Sequence, residues 1–103
     1  MTKKKPHPPH GLSPEARKFW KGIRETYALD DVAGRMLLLR ACEALDRLRR
    51  AQAIVKVDGE IIVDARGSKK RHPAVMVEAE AHRQLIESLR ALKLATPEVM
   101  EQI

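Results

Sequence analysis

The stretch Arg66-Gly67-Ser68-Lys69-Lys70-Arg71-His72-Pro73-Ala74-Val75 divides the chain into a helical part before it and a further helix after it. Pro73 suits the first turn of a helix, so the pattern predicts a helix from this residue to about Leu94. The six residues before His72 contain four cations and no acid, and the Gly67-Ser68 pair favours a mobile loop. A mobile basic loop at the start of a helix is suited to binding a polyanion.

A β-hairpin is predicted upstream of this loop, across residues 54–63. Two segments rich in β-branched residues, 54–57 and 60–63, flank the pair Asp58-Gly59. Asp and Gly tolerate the positive φ angles of a type I′ turn, which commonly joins the strands of a hairpin. Because an isolated hairpin is only marginally stable in water, it should lie against a helix or pair with a strand of another subunit.

Two helices are predicted before the hairpin. The first begins at Ser13-Pro14, a capping residue followed by proline, and one of its faces carries the aromatic residues Phe19, Trp20 and Tyr27. The second runs from about Asp30 to Ala53 and is apolar over an arc of roughly 140°. Such an arc is wider than a single neighbouring helix would cover.

These elements predict a mainly α fold with three principal helices and a short β-hairpin between the second and the third. The folded domain should span residues 12–95. The preceding arm, residues 1–11, is rich in lysine and proline and should be disordered. Residues 96–103 should form a short C-terminal tail.

The composition favours an acidic partner and a reducing compartment. Lysine and arginine outnumber aspartate and glutamate by 20 to 14, and the resulting net charge of +6 attracts nucleic acid. Cys42 is the single cysteine, which excludes an internal disulfide. No apolar run approaches a membrane span, and no signal-peptide core follows the lysine-rich start. We therefore expect a cytoplasmic protein that makes no membrane contact.

The sequence contains no recognisable catalytic or metal-binding pattern. It lacks a glycine-rich phosphate loop, a nucleophile elbow and the closely spaced carboxylates of a nuclease. Two of the four histidines, His7 and His10, lie in the arm, and no cysteine or carboxylate spacing supports a zinc site. Cys42 is better explained as a small buried hydrophobe than as a nucleophile. We expect a protein that is not an enzyme and needs no cofactor or metal.

The candidate DNA contacts are cations of the arm, of the polar face of the first helix and of the basic loop. They are Lys3, Lys4, Lys5, Lys18, Lys21, Arg24, Arg66, Lys69, Lys70 and Arg71. The cations of the loop are the strongest candidates because no acid lies between them. For the helix, an ordinary solvated face is an equally good interpretation. Contacts of both kinds would position DNA rather than read its sequence.

A subunit interface is predicted where apolar residues extend beyond the surface that one neighbouring helix would cover. The candidates are Leu38, Cys42 and Leu45 on the second helix and Val75, Ala79 and Ile86 on the third. Soluble monomers rarely expose large contiguous apolar patches. Assembly into a closed ring would cover this surface by placing one patch against a different patch of the next subunit.

Several short motifs follow one another in a recognisable order. They are a Pro/Lys-rich start, Leu12-Ser13-Pro14-Glu15-Ala16 with Trp20, a long second helix, a short β segment, His72-Pro73-Ala74-Val75, and Leu94-Ala95-Thr96-Pro97. This order resembles a family of small terminase subunits of tailed phages, from about Pro6 to Met100. The family often has a glycine before the Thr-Pro turn, where this chain has Lys93-Leu94-Ala95.

The resemblance implies a non-enzymatic homo-oligomeric ring that acts in an infected bacterial host. It would bind the packaging-initiation region of double-stranded viral DNA and hand it to a large ATPase-nuclease subunit. Two alternatives stay open: a small dimeric DNA-binding regulator of a phage or bacterium, and an adaptor whose basic loop serves only a protein partner. The regulator would need a helix-turn-helix, and the turn after Tyr27 lacks the glycine often found in that motif.

Overall fold

The computed structural model describes residues 7–103 and shows a mainly helical chain with one pair of strands. In chain order, the elements are helix α1 (Pro14–Tyr27), helix α2 (Val32–Asp58), strand β1 (Ile61–Val63), strand β2 (Lys69–Arg71), helix α3 (Pro73–Ala91) and helix α4 (Pro97–Met100). The predicted order, three principal helices with a hairpin between the second and third, is confirmed. Residues 1–6, which include the three lysines of the arm, lie outside the described residues.

Each of these helices begins at a residue whose side chain accepts a hydrogen bond from a backbone N–H of the first turn. The four capping residues are Ser13, Asp31, His72 and Thr96. Three of them, all except Asp31, are followed directly by proline, which lacks an N–H where a helix would leave it unpaired. The helix starts are therefore encoded locally, as the sequence patterns indicated.

Helices α2 and α3 form an antiparallel pair that contains most of the core. The antiparallel direction follows from two contacts, because the α3 cap His72 lies beside Asp58 at the end of α2, whereas Gln84, further along α3, bonds to Arg47, which lies earlier in α2. Five leucines of the two helices are almost completely buried: Leu38, Leu45, Leu48, Leu85 and Leu89. Helix α1 covers this pair with the side chains of Phe19, Trp20 and Ile23.

Two polar side chains of α2 hold the start of α1 and the segment after α4. Asp46 is only 7% exposed, and its carboxylate accepts bonds from the backbone N–H of Ser13, at 2.9 Å, and from the Ser13 hydroxyl. One turn further on, Arg49 pairs with Glu15 at 3.0 Å and donates to the carbonyl of Ile103 at 3.2 Å. The start of α1 and the tail after α4 are thus held at the same level of α2.

The predicted hairpin at residues 54–63 is wrong in position, because α2 continues to Asp58. Each residue added to an existing helix gains a hydrogen bond without the cost of nucleating a new element. Continuation of α2 therefore overrides the β preference of residues 54–57. The helix ends at Gly59, which has a φ of 84° and donates its N–H to the carbonyl of Val55 at 2.7 Å. The Asp58-Gly59 pair is therefore a helix end and not a hairpin turn.

The observed hairpin lies further along the chain and uses the basic segment as its second strand. β1 and β2 are antiparallel, with Ile61 opposite Arg71, Ile62 opposite Lys70 and Val63 opposite Lys69. The residues predicted to form a mobile basic loop thus split into a turn and a strand. Lysine and arginine have little intrinsic preference for strands, so this pairing depends on the β-branched residues opposite them.

Helix α3 ends at Ala91, three residues before the predicted end at Leu94. Lys93 adopts a left-handed conformation with a φ of 60°. Its N–H donates to the carbonyl of Arg90, and the N–H of Leu94 donates to the carbonyl of Leu89. This is the hydrogen-bond pattern of a Schellman motif, in which glycine usually occupies the left-handed position.

Candidate nucleic-acid interface

The turn of the hairpin is fixed by the side chain and backbone of Asp64. The Oδ1 atom of Asp64 accepts bonds from the N–H groups of Arg66 and Ser68, both at 2.9 Å. Its carbonyl accepts from Gly67, whose φ of 82° suits glycine, and its N–H donates to the carbonyl of Ser68. This pattern, a tight turn closed by a left-handed glycine, fixes the position of Arg66 at the tip.

The base of the hairpin is fixed by His72. Its N–H extends the strand pairing by donating to the carbonyl of Glu60 at 2.7 Å. Its Nδ1 atom accepts from the N–H of Ala74, so the ring proton lies on Nε2, which donates to Asp58 Oδ2 at 2.9 Å. The backbone and imidazole of His72 together thus join the end of α2, the hairpin and the start of α3.

The four predicted cations of the basic segment all lie on this hairpin and are exposed. They are Arg66, Lys69, Lys70 and Arg71. Within residues 7–103, none of the four forms an ion pair. The carboxylate of Asp64 is directed to the backbone of the turn, and Asp58 bonds to His72. The structure therefore brings these four candidates together on one projecting element with their charges free.

The cations of α1 form a separate group. Lys18 and Lys21 are exposed, as predicted for a polar face. Arg24 is half-buried: its Nη1 donates to the carbonyl of Leu29, and its guanidinium lies 5.5 Å from the centre of the Trp20 ring. This contact holds Arg24 against its own protomer, so it is less available than its charge suggests.

The two basic regions are far apart along α2. The first residues of α1 contact α2 at Asp46, whereas the hairpin begins after Asp58, about 18 Å further along the helix axis at 1.5 Å per residue. The remaining predicted DNA contacts, Lys3, Lys4 and Lys5, lie outside the described residues. The sequence indicated the charges correctly but gave no information on this separation.

The structure corrects half of the predicted subunit interface. Leu38, Cys42 and Leu45 have no exposed surface in the protomer and belong to its own core, because α1 and α3 together cover the wide apolar arc of α2. Burial, assisted by the nearby Asp46 and Glu43 carboxylates, raises the pKa of the Cys42 thiol to about 12. These three residues cannot contact a second copy unless the protomer opens.

The α3 part of the predicted interface is more accessible. Ala79 is exposed, Val75 is half-buried, and Ile86 retains 9% of its surface. Sequence patterns missed other exposed apolar side chains at the hairpin end of the α2–α3 pair, namely Ile54, Val57, Ile61, Val63, Met76 and Val77. Met36 is 62% exposed at the opposite end of α2.

Residues 7–103 contain no group of three or more His, Cys, Asp or Glu side chains placed to hold a metal ion. None of their helices combines the length and apolar character needed to cross a membrane.

Residues 16–98 match the family model described as "Phage terminase, small subunit". The matched region begins in the first turn of α1, includes α2, the hairpin and α3, and ends at the start of α4. The chain therefore belongs to the phage terminase small-subunit family, which supports a role in phage genome packaging. No curated protein and no solved structure gives a significant match to the chain.

Proposed function

We propose that this chain is the DNA-binding, non-catalytic small subunit of a phage terminase. It recognises double-stranded viral DNA for packaging in the cytoplasm of the infected bacterial host. It also recruits and regulates the large ATPase-nuclease subunit. Family membership supports the packaging role, and the charge of the hairpin supports the contact with DNA.

The observation that carries the DNA-binding proposal is the set of four exposed cations on the hairpin. A side chain that is already paired with a carboxylate must give up that partner before it binds phosphate. Arg66, Lys69, Lys70 and Arg71 have no such partner within residues 7–103. They can therefore neutralise phosphates and release counterions without breaking an internal contact.

A homo-oligomer, arranged as a ring, is the second part of the proposal. It is supported by exposed apolar side chains at two separate places on the protomer, one on the helices near the hairpin (Ile54, Val57, Met76 and Val77) and one at the start of α2 around Met36. Two different patches on one protomer allow a head-to-tail contact, which closes into a ring when the rotation between subunits permits.

The DNA-binding proposal can be tested with the variant Arg66→Ala/Lys69→Ala/Lys70→Ala/Arg71→Ala. Affinity for a duplex of mixed sequence is measured by fluorescence anisotropy at several salt concentrations. Because the slope of log K against log salt is about 0.9 per neutralised phosphate, we expect the slope to become shallower by about 3 to 4. Circular dichroism of the variant checks that its helices are retained.

A matched control separates the hairpin from net charge alone. Arg35, Arg40, Arg50 and Arg90 are exposed cations of α2 and α3 that form no ion pair within the described residues. Replacing these four by alanine removes the same charge but should change the slope much less. Equal slopes for the two variants would contradict a specific role for the hairpin.

A further inference from the structure

The outward face of the hairpin carries two aliphatic side chains on β1, each directly opposite a cation on β2. In an antiparallel pair, residues directly opposite each other lie on the same face. One face therefore carries Ile61 with Arg71 and Val63 with Lys69. Ile61 is 57% exposed and Val63 is 64% exposed.

The other face of the hairpin is the more covered one. It carries Ile62, which is half-buried, and Lys70. A hairpin that needed only solubility would place its aliphatic side chains on the covered face and polar ones outside. Here two of the three β1 side chains point the other way, so the outward face suits a partner that is both apolar and anionic.

Double-stranded DNA offers these two properties side by side in its major groove. The groove floor displays the methyl groups of thymine, and phosphates line both edges. The aliphatic side chains of one strand can contact the methyl groups. Cations beside them can reach base acceptors or phosphates.

The dimensions of the hairpin fit the same groove. Two paired strands lie about 4.8 Å apart, and a ribbon of this kind enters the major groove, which is about 12 Å wide, but not the undistorted minor groove of about 6 Å. The pairing runs from Glu60 and His72 to Asp64 and Ser68, a length of about 14 Å, which exceeds the groove depth of about 8.5 Å. The contacts of His72 and Asp64 fix both ends of the ribbon before DNA arrives.

We propose that the hairpin inserts into the major groove of duplex DNA as a two-stranded ribbon. Ile61 and Val63 face thymine methyl groups, Lys69 and Arg71 contact base edges or phosphates beside them, and Arg66 reaches a phosphate from the turn. This inference rests on the proposed DNA-binding function and adds the groove and the face that bind. It gives the chain a source of base preference that the cations alone do not supply.

The first test compares two synthetic 24-base-pair duplexes of alternating A·T sequence, one containing thymine and the other uracil. They differ only in the methyl group that lies in the major groove. We expect the wild-type chain to bind the thymine duplex about tenfold more tightly, which corresponds to burying about two methyl groups. Equal affinities would overturn the inference.

The second test assigns the methyl contact to residues. Ile61→Thr/Val63→Thr keeps the β-branched shape and all the cations. It should bind both duplexes with the affinity that the wild-type chain has for uracil, and with an unchanged salt slope. Val57→Thr is the control, because Val57 is 84% exposed near the hairpin but lies on α2. This control should keep the wild-type preference for thymine.

The third test uses groove-specific ligands and needs no variant, so it stands even where a substitution disturbs folding. Methyl green occupies the major groove and distamycin occupies the A·T minor groove. We expect methyl green to displace the protein from the thymine duplex and distamycin to leave it bound. Displacement by distamycin alone would overturn the inference.

Two other results have separate meanings. If the wild-type chain binds neither duplex even at low salt, the proposed DNA-binding function itself fails. If Ile61→Thr/Val63→Thr lowers the native mass of the free protein, a second copy covers this face and the inference is overturned. DNA binding that persists without sensitivity to thymine, methyl green or these two residues would contradict only the groove and the face, and leave the DNA-binding function in place.

Discussion

Lys93 shows that a residue with a side chain can occupy a helix-ending position that usually takes glycine. The bonds of Lys93 to Arg90 and of Leu94 to Leu89 form the helix-ending motif that usually contains glycine. The motif is retained because Leu94 is 5% exposed and packs in the core, which fixes the exit of the chain. A side chain in the left-handed region costs about 1 kcal/mol or more. The burial of Leu94 offsets this cost.

Replacement of Lys93 by glycine should therefore stabilise the protein. The relief of strain exceeds the extra freedom that glycine gives the unfolded chain, and we expect a gain of about 0.5–1 kcal/mol in the free energy of unfolding. Urea denaturation measures this change. Lys93→Ala removes the charge but keeps the strain, so it should be nearly neutral; an equal gain in both variants would show that charge is responsible.

Cys42 should be chemically unreactive in the folded protein. The thiolate is the reactive form, and burial raises the pKa of this thiol to about 12. We expect labelling by a thiol reagent at pH 8 to be slow without denaturant and complete in guanidinium chloride. Rapid labelling of the native protein would contradict the burial of Cys42.

The same shift gives stability a pH dependence. Above the ordinary thiol pKa of about 9, the thiol loses its proton in the unfolded chain but keeps it in the folded chain. Ionisation therefore stabilises the unfolded state relative to the folded state. The free energy of unfolding should fall as the pH rises from 9 towards 12. Cys42→Ala should reduce that fall, after allowance for its own cavity cost.

At the scale of elements, the three principal helices and the presence of a hairpin between the second and third were predictable, whereas the position of the hairpin was not. A capping residue marks the start of every described helix, and proline follows it in three of the four; these signals are local. The hairpin depended on competition between two uses of the same residues, because residues 54–57 can continue a helix or form a strand. These residues continue α2, so β1 begins only at Ile61 and pairs with the basic segment.

Because the hairpin lies further along the chain than predicted, His72 stands between its second strand and α3. Its role as a helix cap is local, but its contact with Asp58 depends on the antiparallel return of α3 along α2. His72→Ala removes both the cap and that contact, so we expect a loss of about 1–2 kcal/mol in stability and faster hydrogen exchange in the hairpin. Asp58→Ala should lose less stability and leave the start of α3 intact. Identical hydrogen exchange in the wild type and both variants would contradict the claim that His72 fixes the base of the hairpin.

At the scale of the whole molecule, the candidate interface separates into core and surface. Leu38 is fully buried between helices, and Ala79 is exposed on α3. We expect Leu38→Asp to abolish folding because it buries an unpaired charge. Ala79→Glu should retain its helicity and lower the native mass. Native mass spectrometry with circular dichroism tests both, and an unchanged assembly in Ala79→Glu would remove this face of α3 from the interface.

The protein as a whole is a helical scaffold that presents a basic hairpin at one end of its longest helix. The core could be predicted from the spacing of leucines and aromatic residues. The position of the cations could not, because it depends on where α2 ends, and that is decided by Gly59 and the packing of α3. Because the start of β1 also depends on where α2 ends, the sequence pattern could not predict that Ile61 and Val63 share the outward face of the hairpin.

The most direct test of the account is amide hydrogen exchange of the wild-type protein with and without a mixed-sequence DNA duplex at low salt. The central claim is that the hairpin binds DNA, so DNA should slow exchange chiefly in residues 60–72, while the buried segments of α2 and α3 stay as they were. Protection confined to residues 17–24 of α1, with none in the hairpin, would contradict the account.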